Sequence, residues 1–374
     1  MHPMLKPALR RSWRERTSLQ FGVDPAQAVV LESLDDPASR FLSLLDGTRG
    51  LGLLYQEAAA LGLAPDRAQR LLGELARGGV LDDADSTSGL SDVIREGAGV
   101  LERLRPDLDS LSLVHPEPGA AAARMAARRA VRVKVRGAGR VGASLATVLS
   151  AAGLGRVDVQ DSGKVEPWDT APCGIPALQT GERRETAARA AVRRASPDPR
   201  PPASRSGGLG HAEPALGLMV LAPRDGLAAY APDQQEAEPL LLAGIPHLYA
   251  GVIEGVGFVG PLVVPGRSPC AGCLELGRAD ADPAWPRILA QLRSGRSQVV
   301  PACDVALATL VAGLAGTHAL AFLDGRRPPS IGSRIEFSLT GLGLRATRVD
   351  AHPECRCGAS HSAAHSAARA TMAG

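Results

Sequence analysis

Residues 131–161 read VRVKVRGAGRVGASLATVLSAAGLGRVDVQD, and the succession of patterns in this stretch decides the fold. Val131–Val135 alternates and runs straight into glycine, the signature of a strand that ends in a tight turn. Gly137, Gly139 and Gly142 form G-A-G-R-V-G, and Ala143–Ala152 continues as an apolar helix. Arg156–Gln160 is a second strand, and it ends at Asp161, 19 residues after Gly142. Strand, glycine turn, helix, strand and acid in this order are the pattern of a nucleotide-binding α/β fold. Glycines let the backbone approach phosphates, the helix N-terminus offers free N–H groups to an anion, and Asp161 stands where a ribose hydroxyl would be accepted. A tight strand–helix packing turn without a ligand accounts for the same glycines, so both readings stay open. No Lys, Tyr or His set suited to hydride chemistry follows the motif, and this argues against a dehydrogenase.

The α/β pattern extends from about 121 to 358. Glu182–Arg194 reads as a charged helix, and the Pro, Ser and Gly-rich stretch Ser196–Gly210 as a mobile loop. Leu216–Leu221 is a third strand, Glu236–Ala243 a helix, and His247 enters a fourth strand. Val305–Leu323 is a long apolar helix, and Arg334–Leu339 with Gly343–Arg348 forms a terminal hairpin. Residues 359–374, rich in His, Ser and Ala, are expected to be a disordered tail. Ahead of this domain, residues 1–84 carry a short strand near Ala28–Leu34, then three helices: Pro37–Leu45, Leu51–Leu61 and Pro65–Gly78. Leu71, Leu72 and Leu75 share one face of the third helix, and Val80–Leu81 closes the unit, which suggests a small winged helix. Residues 85–120 read as a linker, with one helix at Val93–Leu104 that ends before Pro106.

Composition narrows the function classes. The chain has 374 residues, 45% hydrophobic and 22% charged, which suits two or three globular domains. A net charge of +3 gives no reason to expect nucleic acid or an acidic membrane surface as partner. No run is expected to reach the roughly 18 apolar residues of a membrane span. Met1–Arg11 is basic but lacks an apolar core and a cleavage site, so the expectation is a cytoplasmic protein without a secretory signal.

Four of the six cysteines form two tight pairs, Cys270-Ala-Gly-Cys273 and Cys355-Arg-Cys357. In a reducing compartment this spacing reads as a closed tetrahedral zinc site, structural because four protein ligands leave no open position. Two unrelated surface pairs are the alternative, and His352 is a reserve ligand. Cys303 follows Pro301 at the start of the long helix, where the N-terminus would lower a thiol pKa and Asp304 would oppose it. A buried or incidental cysteine is the plainer reading for Cys303 and for Cys173.

The ordered set resembles the ThiF/MoeB superfamily of ubiquitin-activating-enzyme-like adenylyltransferases. It comprises the glycine loop, Asp161-x-Gly163-x-Val165, Gly181 before a basic helix, C-x-x-C, the long helix from Cys303 and the closing cysteine pair. The resemblance implies a Rossmann-like domain whose parallel sheet turns mixed toward its end, zinc on paired cysteines, and in active members ATP and magnesium. It also implies a homodimer. Gly22-Val23-Asp24-Pro25, Leu45-Asp46-Gly47 and Gly79-Val80-Leu81 resemble PqqD-like domains that recognise leader peptides of ribosomally made peptides. A PqqD-like domain before a ThiF-like one resembles the partner proteins of YcaO-type cyclodehydratases, in which the ThiF-like part is largely a scaffold.

Departures from the active pattern decide between catalyst and scaffold. The stretch where the family carries an Asn/Arg/Gln cluster is Glu166-Pro167-Trp168-Asp169-Thr170-Ala171-Pro172 here. Arg183 and Arg184 stand in place of a family lysine, and the magnesium aspartate is represented only by Asp225, beside Arg224. The catalytic candidates are therefore Arg183, Arg184, Asp225 and Cys303, and the nucleotide candidates are Gly137, Gly139, Gly142 and Asp161. The expected function is a leader-peptide-binding partner without adenylation of its own. The alternative is an adenylyltransferase that acts on a carrier protein or a peptide C-terminus. A winged-helix DNA-binding regulator is disfavoured, because Asp66 and Glu74 interrupt the arginines of the third helix.

Overall fold

Antiparallel pairing holds the N-terminal strands. A computed structural model describes residues 1–86, 98–198, 215–295 and 300–359, so most of the expected loop at 196–210 and the tail from 360 lie outside the described residues. The chain divides into two units, Met1–Ala127 and Arg128–Gly374. In the first, β1 (Pro3–Leu5) pairs with β5 (Leu81–Asp83), and β2 (Arg11–Glu15), β3 (Ser18–Phe21) and β4 (Val29–Leu31) form an antiparallel sheet in that order. Between β4 and β5 run α1 (Asp36–Ser43), α2 (Leu51–Ala60) and α3 (Pro65–Arg77), close to the expected spans. Asp35 caps α1 by accepting from the Ala38 amide at 2.9 Å, and Pro65 opens α3, where its missing N–H costs nothing. Ala68, Leu71, Leu72 and Leu75 of α3 are buried in one cluster with Phe21, Phe41 and Leu54. This is a small α+β region.

The stretch 85–120 carries α4 (Ala98–Val114), and α5 (Ala120–Arg129) follows. The helix expected to stop before Pro106 runs through it. A proline inside a helix removes one backbone bond, and burial of Leu104 and Leu111 against Met125 offsets that loss. The buried Lys6 ammonium donates to the Ser112 carbonyl at 2.6 Å and the Pro116 carbonyl at 3.0 Å.

The second unit is built on a seven-stranded mixed sheet. Its strands are β6 (Arg132–Arg136), β7 (Arg156–Gln160), β8 (Leu216–Leu221), β9 (His247–Ile253), β10 (Val256–Val263), β11 (Ser333–Ser338) and β12 (Leu344–Arg348), ordered β12-β11-β10-β9-β8-β6-β7. Pairing is parallel from β7 to β9 and antiparallel from β9 to β12. That is the Rossmann-like sheet turning mixed, as expected. Strand residues alternate between faces. Val133, Val135, Leu218, Val220, Leu248 and Ala250 pack with α6 (Arg140–Ala151) and α12 (Val305–Leu323). Met219, Leu221, Tyr249 and Val263 form a second cluster with Cys270, Cys273 and Cys355. The remaining helices are α7 (Arg184–Ala195), α8 (Gly226–Tyr230), α9 (Gln234–Leu242), α10 (Ala271–Ala281) and α11 (Trp285–Ser294).

Contrary to the expectation that no run is long enough, α12 has the length and apolar composition of a membrane span. It packs within this unit instead. A Cβ on Gly257 of β10 would fall 2.4 Å from Val311 and 2.8 Å from Leu307, so only glycine lets α12 lie this close to the sheet. Arg128 and Asp324, both buried, form a bidentate pair at 2.8 and 2.7 Å beside the end of α12.

Candidate functional site

The glycine loop lies at the end of β6, where the sheet delivers its C-terminal edge to the N-terminus of α6. Gly137 has φ +114°, and a Cβ there would lie 1.9 Å from the Ala222 carbonyl oxygen. A Cβ on Gly142 would lie 2.2 Å from the Gly137 carbonyl oxygen. Both glycines are therefore demanded by backbone packing alone. Gly139 differs, because a Cβ there would meet only the Arg224 side chain and Cα, at an ordinary 3.5 Å. In this loop it is the glycine that leaves room, and Arg224 stands over it.

Asp161 is already engaged. Its Oδ2 accepts from the Ala138 amide at 2.6 Å, and its Oδ1 lies 3.1 Å from Arg184 Nε. Arg184 also donates to the carbonyls of Ser162 at 2.5 Å and Lys164 at 2.8 Å, and reaches Asp169 at 3.2 Å. Burial pulls the Arg184 pKa down, but Asp161 and Asp169 outweigh it and hold the guanidinium above its ordinary value. Asp169 is 1% exposed and accepts Arg224 Nε at 2.7 Å, as well as the Glu166 amide at 2.9 Å. Asp161, Arg184, Asp169 and Arg224 thus form one chain of alternating charge. Both arginines are turned onto the protein's own carboxylates.

Arg224 also lies 5.9 Å from the centre of the Trp168 ring. Arg140 donates to the carbonyls of Thr170 at 3.2 Å and Cys303 at 2.8 Å. Between Gly139, Arg140, Trp168, Arg224, Pro301 and Cys303 about 20 Å³ remains, room for roughly one water.

The catalytic candidates do not converge. Arg183 is exposed at the N-cap of α7, bridged through its backbone to Lys164. Asp225 caps α8 by accepting the Leu227 amide at 3.0 Å. Cys303 lines the crevice with its side chain partly buried. Burial raises its pKa, Arg140 lowers it less, and Asp304 raises it. Asp304 itself occupies the N-terminus of α12, accepting from Ala306 at 2.8 Å and Leu307 at 3.1 Å. Asp169 and Arg140 were not singled out as site residues. Their only local signals are an acid in the P-W-D stretch and an arginine inside the glycine motif.

The four paired cysteines do converge. Sulfur separations are 3.5 Å for Cys270–Cys355, 3.5 Å for Cys273–Cys357 and 4.0 Å for Cys270–Cys273. All four sulfurs lie within 4.8 Å of one another. Tetrahedral zinc with bonds near 2.3 Å sets its sulfurs about 3.8 Å apart, so this donor set fits such an ion. Cys270 caps α10 and Cys273 lies in its first turn, while a Cβ on Gly272 would press to 3.2 Å on the Cys355 sulfur. His352, the reserve ligand, instead meets Asp280 at 2.9 Å. Cys173 is exposed and apart from the cluster.

The model of a family described as the ThiF family matches residues 118–359. No curated protein matches the chain. Among solved structures, E. coli MccB with succinimide superposes at a TM-score of 0.68 and 13% identity, over 96% of this chain and 99% of that one. The microcin C7 biosynthetic enzyme MccB in complex with N-formylated MccA gives 0.67 at 14% identity, over 96% and 100%. A heterocyclase in complex with substrate and cofactor gives 0.59 at 15% identity, over 96% of this chain and 40% of the heterocyclase chain. Likeness at these identities is likeness of fold.

Proposed function

From the premise that this chain belongs to the ThiF family, we propose that it is a leader-peptide-binding scaffold in the maturation of ribosomally made peptides and does not adenylate. The observation that carries this reading is the closed ion chain Asp161–Arg184–Asp169–Arg224. Adenylation turns the α-phosphate toward a carboxylate while pyrophosphate leaves with growing negative charge, and catalysis is largely the neutralisation of that charge. Here Arg184 and Arg224 are spent on Asp161 and Asp169, and Asp225 is spent on a helix cap.

The peptide context comes from fold neighbours named for a peptide-bound MccB and a substrate-bound heterocyclase. In our reading the first unit is the PqqD-like, winged-helix part. A leader would add as a strand beside β4, against α3. Close packing of Gly78 on Val29 brings the end of α3 to β4 and supports that groove. Arg70 is exposed and free to meet an acidic leader, whereas Arg67 already donates to the Ser33 carbonyl at 2.6 Å. A YcaO-type protein would supply the ATP chemistry. Zinc on Cys270, Cys273, Cys355 and Cys357 would pin the chain after β12 to α10, and the protein would act in the cytoplasm as a homodimer.

The test is ATP–pyrophosphate exchange by the full chain with and without a candidate precursor peptide, beside titration of its leader. Leader binding without exchange is the expected result. Peptide-dependent exchange abolished by Gly139→Trp would replace this reading with the adenylyltransferase. The retained glycine loop and the ATP-bound MccB among the fold neighbours favour that second reading.

A further inference from the structure

Apart from the leader groove, and without resting on it, the geometry points to the outer edge of β2 as a docking strand for an extended acidic segment of a partner protein. Residues 10–17 read RRSWRERT, and every one of them is exposed. Among the described residues β2 pairs only with β3, with a bulge at Arg14, so its other side presents backbone N–H and C=O groups that no described strand takes up. Arg10, Arg11, Arg14 and Arg16 crowd this edge with Glu15 as the single acid. Among the described residues none of these four arginines forms an ion pair. Arg40, Arg49 and Arg67 of the same unit each meet a carboxylate. At the centre of the edge Trp13 is 53% exposed. It lies opposite Leu19, as Arg11 lies opposite Phe21, so both extend the sheet face that is buried one strand further in.

These features select the occupant. The arginines and the bulge at Arg14 keep this edge from pairing with its own kind, whereas an acidic strand would neutralise the charge and gain an apolar contact at Trp13. Strand addition needs a partner backbone that pairs, which selects polypeptide over nucleic acid. Alternate side chains of the added strand would cover Trp13, and the acidic ones between them would meet Arg10 on the other face. A second copy paired about Trp13 would set Arg10 against Arg16 and Arg11 against Glu15, each twice, and the join of two segments with four arginines to one glutamate each is disfavoured by their like net charge.

The test uses the full chain and a fluorescein-labelled heptapeptide of alternating Glu and Val, read by anisotropy at low salt. Binding should weaken by about tenfold or more in Arg10→Glu/Arg14→Glu, fall as salt rises, and stay unchanged in the surface control Arg287→Glu. Equal binding of the matching Lys–Val peptide, or full binding by the double variant, overturns the proposal. So does a single-stranded oligonucleotide that binds these arginines when the peptide does not. A shift in sedimentation on making the double variant would assign the edge to a second copy instead. Loss of peptide binding in Arg70→Glu alone would move the acidic segment to the α3 groove, sinking this proposal while the leader reading stands.

Discussion

Arg224 ties two questions together, because it closes the crevice and neutralises the buried Asp169. In Arg224→Ala, Asp169 keeps Arg184 and the Glu166 amide but loses a charged hydrogen bond. Since Arg224 is 27% exposed, the expected cost is about 1.5–3 kcal/mol, read by urea unfolding. Pyrophosphate exchange should stay at background in the same variant, because Arg184 remains tied to two carboxylates. Recovery of exchange would make Arg224 a removable plug on a working enzyme. The sequence exposed the altered cation positions but not this pairing, which joins residues 55 apart and has no local pattern. A second residue-scale prediction concerns pH. The His247 ring is fully buried, with Nδ1 donating to the Ile245 carbonyl at 3.0 Å, and burial holds its pKa below 6.5. Burial also lowers His318, which bonds Ser330 at 2.9 Å. Below pH 6.5 the unfolded chain takes up protons that these folded rings refuse. Stability should therefore fall with pH from there, by up to about 1.4 kcal/mol per pH unit for each ring, until the folded pKa is reached. Urea unfolding of His247→Gln should show about half the wild-type slope over that window, and an unchanged slope would remove His247 from the account.

Among the elements, the cysteine cluster joins two segments that the sheet does not join, the start of α10 and the turn after β12. Protein purified without chelator should carry about one zinc per chain. Cys270→Ser/Cys355→Ser should lose the metal and lower the thermal midpoint, whereas full zinc and full stability would mean that the pairs are independent. Burial raises the Cys355 thiol to about 11, so metal loading should release protons and weaken as pH falls. The pairs were legible because four thiols at short spacing have few other uses in a reducing compartment. The neighbouring elements were not. β10 reads VGFVGPLV, whose glycines and proline look like turn punctuation, yet Gly257 is there to admit Val311 and Leu307 of α12. β2 and β3 were hidden for a different reason. All five positions of β2 are exposed, so no apolar alternation marks the hairpin in the sequence.

At the scale of the molecule, the sheet order follows from the glycine loop, the strand pattern and the closing hairpin, and all three are local. The extent of the first unit is not local, since α4 and α5 contribute to Met1–Ala127 through contacts that no periodicity announces. The cluster around Phe21, Phe41, Leu54 and Leu75 lies wholly within residues 1–84, so a fragment of that length keeps an apolar core. It does not keep the partners of that core's periphery. Lys6 donates to the carbonyls of Ser112 and Pro116, and Asp82 accepts the Gly119 amide at 2.8 Å. Burial lowers the Lys6 pKa, and Asp82 and Glu117 oppose that fall, so the ammonium is held by acceptors that truncation removes. Hydrogen bonds to charged groups contribute about 1.5–3 kcal/mol each, discounted here because the freed ammonium regains water. A fragment of residues 1–127 should therefore unfold at higher urea than a fragment of residues 1–84, with a steeper transition because more surface is exposed. If the leader groove lies between β4 and α3, both fragments should bind the peptide, the shorter one more weakly in proportion to its unfolded fraction. Equal midpoints for the two would show that α4 and α5 add nothing to the fold of the first unit. Binding by neither folded fragment, with binding by the full chain, would move the peptide site out of residues 1–127.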